Sequence, residues 1–317
     1  MNEKVRLGYA CVNMTLTNRP KKLGGRVTTS RTARKASWHP NWDLSLIGER
    51  AVLNATDLLH YLKWNEENNI KLFRVGSELV PWHDHFELHE LPQYDELAAK
   101  LLECGNYARE HGHRLTTHPG PFHVLGSPHE HVVEKSIIGL ERHSELWDLM
   151  GYAPSHENKI NIHIGAAYGD KPFALDNFCR NFERLPDNVR SRLTVENDDK
   201  VSLYSTQELY DGVYRRIGIP IVFDYHHHML HPGGQSEQEA LELALSTWGD
   251  IKPVVHYAES RSIEYNNPKI KPQAHSDMIR NPFDDYGHDL DVMIEAKHKE
   301  LALLEYRVIM NEQRMAV

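Results

Sequence analysis

Six side chains of the types that bind divalent cations fall at or near the ends of short apolar, β-branched runs: His118, His163, Glu196, Asp224, His256 and Glu295. Spacing adds a seventh, because Asp224-Tyr-His-His227 sets a carboxylate and an imidazole three residues apart, and His275 in QAHSD adds an eighth. His226 and His228 flank His227 and rank below it as ligands. A single His or Glu at a strand end is ordinarily a hydrogen-bonded loop residue. Six in register are not explained that way. Carboxylates and imidazoles crowded together out of water are costly without partners, and divalent cations are the obvious partners. Nitrogen and oxygen donors without thiolates suit Mn²⁺, Zn²⁺ or Fe²⁺ better than Mg²⁺ or Ca²⁺. Eight ligands exceed the needs of one ion, so the expectation is a cluster of two or three, Mn²⁺ first and Zn²⁺ as the alternative, with Glu196 bridging. Such clusters clamp the attacking and leaving oxygens of an in-line phosphoryl displacement and promote ionisation of water near neutral pH.

The elements that must bring these residues together are legible as eight apolar runs: Val5 to Cys11, Ile70 to Gly76, His113 to His118, Lys159 to Gly165, Arg192 to Asp198, Ile219 to Asp224, Lys252 to Tyr257 and Leu290 to Ala296. Segments with apolar residues at three- and four-residue spacing, such as AVLNATDLLHYLKWNEEN and QEALELALSTW, lie between them. Strand and helix signals in alternation predict parallel strands with crossover helices. Eight units predict an α/β fold of the (β/α)8 TIM-barrel type, in which the C-terminal strand ends converge on one face where active sites are built. The competing architecture is an open doubly wound sheet, but no GxGxxG follows the first strand and no nucleotide cofactor is expected. With no linker-like stretch, residues 1–317 read as one domain.

Composition narrows the class. Hydrophobic residues at 40% and charged residues at 26% describe a globular chain with a core. The start, MNEKVRLGYACVNMT, carries no apolar run behind a basic segment, and no stretch approaches a membrane span, so a cytoplasmic address is expected. Cys11, Cys104 and Cys179 are far apart and read as buried thiols. A formal charge of -9 argues against indiscriminate nucleic-acid binding. Against that background, Arg19, Lys21, Lys22, Arg26, Arg31, Arg34 and Lys35 form a basic stretch without an acidic residue, read as a flexible loop. Of the 22 histidines, His111, His129 and His131 read as exposed helix or turn residues.

Over most of its length the chain resembles the UV-damage endonucleases, through LGYACVN, FRVGSELVP, THPGPF, INIHIGAAYGDK, LTVENDDK, VFDYHHH and DVMIEAKHKE. That family resembles endonuclease IV in fold and in its trinuclear metal site, and this sequence shares the D-x-x-H element. The resemblance implies a first ion on His118, His163 and Glu196, a second on Glu196, Asp224, His256 and Glu295, and a third on His227 and His275. It implies a catalytic part for Glu196, Asp224 and Glu295, a place near the scissile phosphate for His85, and contacts of Tyr9 and Asn13 with a flipped lesion. The implied substrate is double-stranded DNA carrying a cyclobutane pyrimidine dimer or a 6-4 photoproduct. Incision falls immediately 5′ to the lesion without ATP, and extrusion is cheapest where stacking is already poor.

Two departures from the family pattern stand out. Family members often carry Gln-Tyr where this chain has Pro121 and Phe122, so lesion opening is expected to rely on stacking, with less polar reading of the orphaned bases. Some members have a lysine, able to be carboxylated, where Val254 stands, so water is expected to complete the metal shell. Lys200 and Lys297, each shortly after a ligand-bearing run, are candidate phosphate contacts. Three rival readings are kept open: an abasic-site endonuclease with the same metal chemistry, a metal-dependent sugar isomerase on the same fold, and a damaged-DNA binding protein with structural ions. A cleft on one barrel face is expected to serve a monomer.

Overall fold

The computed structural model describes residues 5–315. Residues 1–4 and 316–317 of the expected domain, and with them the first residues of the N-terminal segment, lie outside the described residues. Eight strands form, each inside the run expected for it: β1 Arg6–Ala10, β2 Leu72–Val75, β3 Arg114–Thr117, β4 Ile160–Ile162, β5 Leu193–Glu196, β6 Ile221–Val222, β7 Val254–Tyr257 and β8 Asp291–Ile294. Neighbours pair in parallel in the order β6-β5-β4-β3-β2-β1-β8-β7. A bridge between Asp224 and His256 closes the remaining gap. The architecture is the TIM barrel that the alternation of signals predicts.

Long helices cover the first four strands: Ser45–Glu67, Tyr94–Glu110, Glu130–Leu149 and Lys171–Phe182. Glu237–Leu245 follows β6 and Lys299–Met315 follows β8. The seventh unit differs. Between β7 and β8 the helix is only Arg261–Glu264, and the rest is irregular chain that carries His275 back to the rim.

Two-residue alternation sorts each strand into an outer and an inner row. Outward residues such as Leu7, Tyr9, Phe73, Leu115, Ile160, Val195, Phe223, Val255 and Ile294 join the helices in one large apolar cluster. Inward residues form small separate clusters, Ala10 with Leu72 and Met293, and Val222 with Val254 and Trp248. The rest of the inner row is polar and buried: Arg74, Arg114, Thr116, Asn161, Thr194, Glu196, His256 and Asp291.

Three expectations need correction. Tyr9 and Asn13, expected to be open to a lesion, are fully buried in the free protein: Tyr9 Oη donates to Asn65 Oδ1 at 2.8 Å, and Asn13 donates to Tyr9 Oη at 2.9 Å while capping a helical turn through Leu16 N. The outward row is where β1 puts Tyr9, so helix packing claims it. The basic stretch is not free along its length, because Thr28 N and the Arg31 guanidinium both bond Asp57, and Arg31 N bonds Asn54. Cys11 is only half-buried, whereas Cys104 and Cys179 are buried; all three are free thiols. His129 and His131 are exposed as expected, and His111 is half-buried against Tyr107. Among the described residues no helix is long and apolar enough to cross a membrane.

Candidate metal centre

The C-terminal strand ends meet around Glu196, the last residue of β5, whose side chain is 1% exposed. Four imidazoles face its carboxylate: His118 Nε2 at 3.3 Å, His163 Nε2 at 3.9 Å, His227 Nδ1 at 3.3 Å and His256 Nδ1 at 3.0 Å. Asn161, inward on β4, donates to the same carboxylate and is held in turn by Thr194 at 2.8 Å.

Local sequence explains the sixth unit. Asp224 is the N-cap of the helix Tyr225–Leu230, and its Oδ1 accepts the amide of His227 at 2.8 Å. Capping at this spacing is what brings an Asp and a His three residues later to the same rim. Asn197 clamps the Asp224 backbone from β5, with bonds of 3.0 and 2.8 Å. Three triplets result whose ligand atoms all lie within 4.8 Å of one another: His118 with His163 and Glu196; Glu196 with Asp224 and His227; Asp224 with His256 and Glu295. His275 joins none of these triplets, but its Nδ1 donates to the Glu295 carbonyl at 2.9 Å and stands 3.7 Å from Glu295 Oε2.

Most of the imidazoles are oriented from behind. His118 Nδ1 donates to Pro119 O at 3.0 Å, His227 Nδ1 to Asn197 O at 2.9 Å, and His163 Nδ1 lies 3.0 Å from Asp198 Oδ1. The carbonyl contact fixes the tautomer of His118 and leaves its Nε2 for a ligand, whereas His227 Nδ1 is shared between Asn197 O and the Glu196 carboxylate. His256 is turned the other way, with Nδ1 inward and Nε2 3.5 Å from the buried amine of Lys159.

The electrostatics are those of buried carboxylates that share charge with the imidazoles around them. Burial alone would raise Glu196, yet His256, His163 and the contacts with His118 and His227 hold it well below the usual carboxylate range. Burial opposes a proton on His227, but Asp224 and Glu196 push it up to about 10. His163 is raised in the same way by Glu196 and Asp198. Burial pushes His118 down to about 4. Meanwhile Asp224 Oδ2 and His256 Nδ1 are buried without a hydrogen-bond partner. Orphaned ligand atoms and an oxygen–nitrogen donor set are what a cluster of divalent ions requires, so the residues present fit such a group.

With this geometry in place, the chain can be compared with known proteins. The family model for UV-endonuclease UvdE matches residues 5–315. This chain belongs to the UvdE family. A UV-damage endonuclease of Neurospora crassa is 34% identical over 95% of the chain, which spans 50% of that relative's length. A UV DNA damage endonuclease of Clostridium perfringens is 31% identical over 95% of the chain and 69% of its own length. The crystal structure of SacUVDE superimposes with a TM-score of 0.79 at 31% identity, covering 98% of this chain and 99% of that one. A D-psicose 3-epimerase from Clostridium cellulolyticum matches at a TM-score of 0.51 and 13% identity, over 75% of this chain and 78% of that one; it shares the fold alone.

The remaining candidates of this UvdE-family chain lie around the rim. His85 stands 3.8 Å from Asp84 in an aromatic cluster with Trp38, His39 and Trp82, apart from the ligand triplets. A cavity of about 390 Å³ opens there, bounded by His85, Trp82 and Phe122. Phe122 is 81% exposed, and Pro121, Lys200 and Lys297 are exposed as well. Val254 is buried against Val222 and Trp248, and Lys159 from across the barrel brings the amine found beside His256. Sequence reasoning missed Arg74, Lys159, Asn161 and Asp198. Inward parity on β2 and β4 was the available signal for Arg74 and Asn161, and the VENDDK motif for Asp198.

Proposed function

We propose that this protein is a metal-dependent DNA endonuclease that hydrolyses the phosphodiester immediately 5′ to cyclobutane pyrimidine dimers and 6-4 photoproducts, without ATP. The observation that carries the reading is the ring of imidazoles and carboxylates around Glu196, with buried ligand atoms that have no hydrogen-bond partner among the described residues. Two or three divalent ions fit the donor set, Mn²⁺ first. When bound, they supply Lewis acidity toward the phosphoryl group and favour ionisation of water near neutral pH.

The residues divide the work. His118, His163 and Glu196 would hold one ion and Asp224, His256 and Glu295 another, with His227 and His275 completing the donor set and Glu196 available to both. Asp198, Asn161 and Asn197 fix the ligands' directions. Lys200, Lys297 and the basic stretch offer charge to backbone phosphates, and His85 serves near the scissile phosphate. Exposed Phe122 is suited to enter an unstacked step, which selects for a distorted duplex without reading its sequence. Tyr9 and Asn13 lie buried beneath this rim in the free protein. A single domain acting as a monomer suffices for one such cleft.

Incision of defined duplexes carrying a dimer, a 6-4 product or an abasic site tests the proposal, with Mn²⁺ present and with chelator. Cutting 5′ to the photolesions, abolished by chelator, is expected. Cutting at the abasic site alone would transfer the assignment to an abasic-site endonuclease, and binding without cutting would leave the ions a structural role.

A further inference from the structure

The two outer triplets of the rim are supported by opposite chemistry. Behind His118 stands the carbonyl of Pro119, behind His163 the carboxylate of Asp198, and beside Glu196 the neutral amide of Asn161. Among the described residues, the charged neighbours of Glu196 are imidazoles, and no arginine or lysine pairs with it as one does with a carboxylate across the barrel. There the Arg74 guanidinium, on β2 and 7% exposed, forms a part-buried ion pair with Glu295 Oε1. The same oxygen stands 3.2 Å from His256 Nδ1, the atom His256 would offer to an ion. The other oxygen stands 3.7 Å from His275.

An ion entering between Asp224, His256 and Glu295 therefore meets a carboxylate already shared with a fixed positive charge. Arginine is not deprotonated in proteins, so the conflict is present at every working pH. Buried on the inner wall, the guanidinium is poorly screened, and it withdraws charge from the ligand while repelling the incoming dication. The Asp198 carboxylate, 3.0 Å from His163 Nδ1, acts in the reverse sense, since negative charge beside the far ring nitrogen raises the ligand's basicity.

We propose that Arg74 sets the order in which the ions bind: the His118–His163–Glu196 ion binds first and tightly, and the Asp224–His256–Glu295 ion binds second and more weakly because Arg74 competes for Glu295. The inference rests on the metal-centre reading above. It makes Arg74 a positioning residue, and occupancy of the weaker position becomes the step by which the concentration of divalent cation controls the whole centre.

Titration of chelator-stripped protein with Mn²⁺, followed by the electron paramagnetic resonance signal of free Mn²⁺, tests this without reference to cleavage. Wild type is expected to show binding classes at least tenfold apart. Glu295→Gln should remove the weak class and leave the tight one, and His163→Gln the reverse. Arg74→Met should tighten the weak class by tenfold or more, and Arg74→Lys, which keeps the charge, should leave it weak. Circular dichroism of the stripped proteins checks folding; if Arg74→Met does not fold, the class separation in wild type and its loss in Glu295→Gln decide. A single affinity class, or a weaker rather than tighter second class in Arg74→Met, overturns the proposal while leaving the metal centre standing. Absence of any Mn²⁺ binding overturns both.

Discussion

The two ends of the barrel interior are built from similar residues and differ in one respect, the balance of their charges. At the bottom, Asp291 is fully buried and receives Arg6 at 2.5 Å, Arg114 at 3.0 Å and Lys252 at 3.3 Å. Arg114 spends its other donors on the carbonyls of Glu157 and Lys252. One anion is surrounded by cations, and its carboxyl is held below the usual range despite burial. At the top, Glu196 is equally buried but faces imidazoles, and Asp224 Oδ2 has no hydrogen-bond partner among the described residues, its charged neighbour being His227 Nδ1 at 3.9 Å. The bottom is electrostatically closed by arginine and lysine, whereas at the top Arg74 reaches only Glu295 and the other carboxylates face imidazoles. Buried charge is tolerated when paired, so the closed end serves the fold and the open end serves chemistry.

The comparison can be broken most severely at Glu196. Glu196→Gln is expected to reduce incision of a dimer-containing duplex by roughly 10³-fold or more, as for loss of a central charge-stabilising group. Affinity for the same duplex, read by fluorescence anisotropy, should remain within a few-fold. Full incision under matched Mn²⁺ would count against the open-end reading.

At the closed end the loss should fall on stability instead. Asp291→Asn takes from Arg114 its buried anion and leaves it only the half-exposed Glu157 carboxylate at 3.5 Å, which predicts destabilisation of about 3 kcal/mol in urea unfolding. Mn²⁺ affinity of the folded fraction should not change. A variant that unfolds normally but binds Mn²⁺ poorly would show that the two ends are coupled.

A smaller effect sharpens the picture from the top. Asp198→Asn keeps the size of the side chain but weakens the orientation of His163, and Mn²⁺ affinity should fall about 10–100-fold with melting temperature little altered. Unchanged affinity would mean that Asp198 is only a loop residue.

The smallest effect is a pH dependence at the bottom. His156, whose carbonyl supports Arg114, is pushed down to about 4 by burial. The unfolded chain takes up its proton near 6.5 and the folded one only near 4, so stability is complete above 6.5 and is lost as pH falls through that window. At pH 5.5 the loss from this group is on the order of 1 kcal/mol. His156→Asn should flatten the profile of melting temperature between pH 7 and 5, measured in chelator. An equally steep profile in the variant would assign the dependence elsewhere.

Much of this was legible in the linear chain. Strand runs were readable because apolar, β-branched stretches persist in strands covered by helices, and the six ligands stood out because each sits where a strand ends. Asp224 and His227 were readable because capping is local. The burial of Tyr9 and Asn13 was not legible, because proximity in sequence to the rim does not reveal which side of β1 a residue faces. Arg31 was misassigned because Asn54 and Asp57, which secure it, lie one helix away.

By itself, the amino-acid order determined the number of barrel units, the rim on which chemistry would sit and the donor types gathered there, since periodicity and capping act over a few residues. Only the tertiary structure decided which side chains stand behind those donors. Arg74 meets Glu295 across 221 residues of sequence, and Lys159 reaches His256 across 97. Those meetings are set by the register at which the barrel closes, which no short stretch of sequence contains.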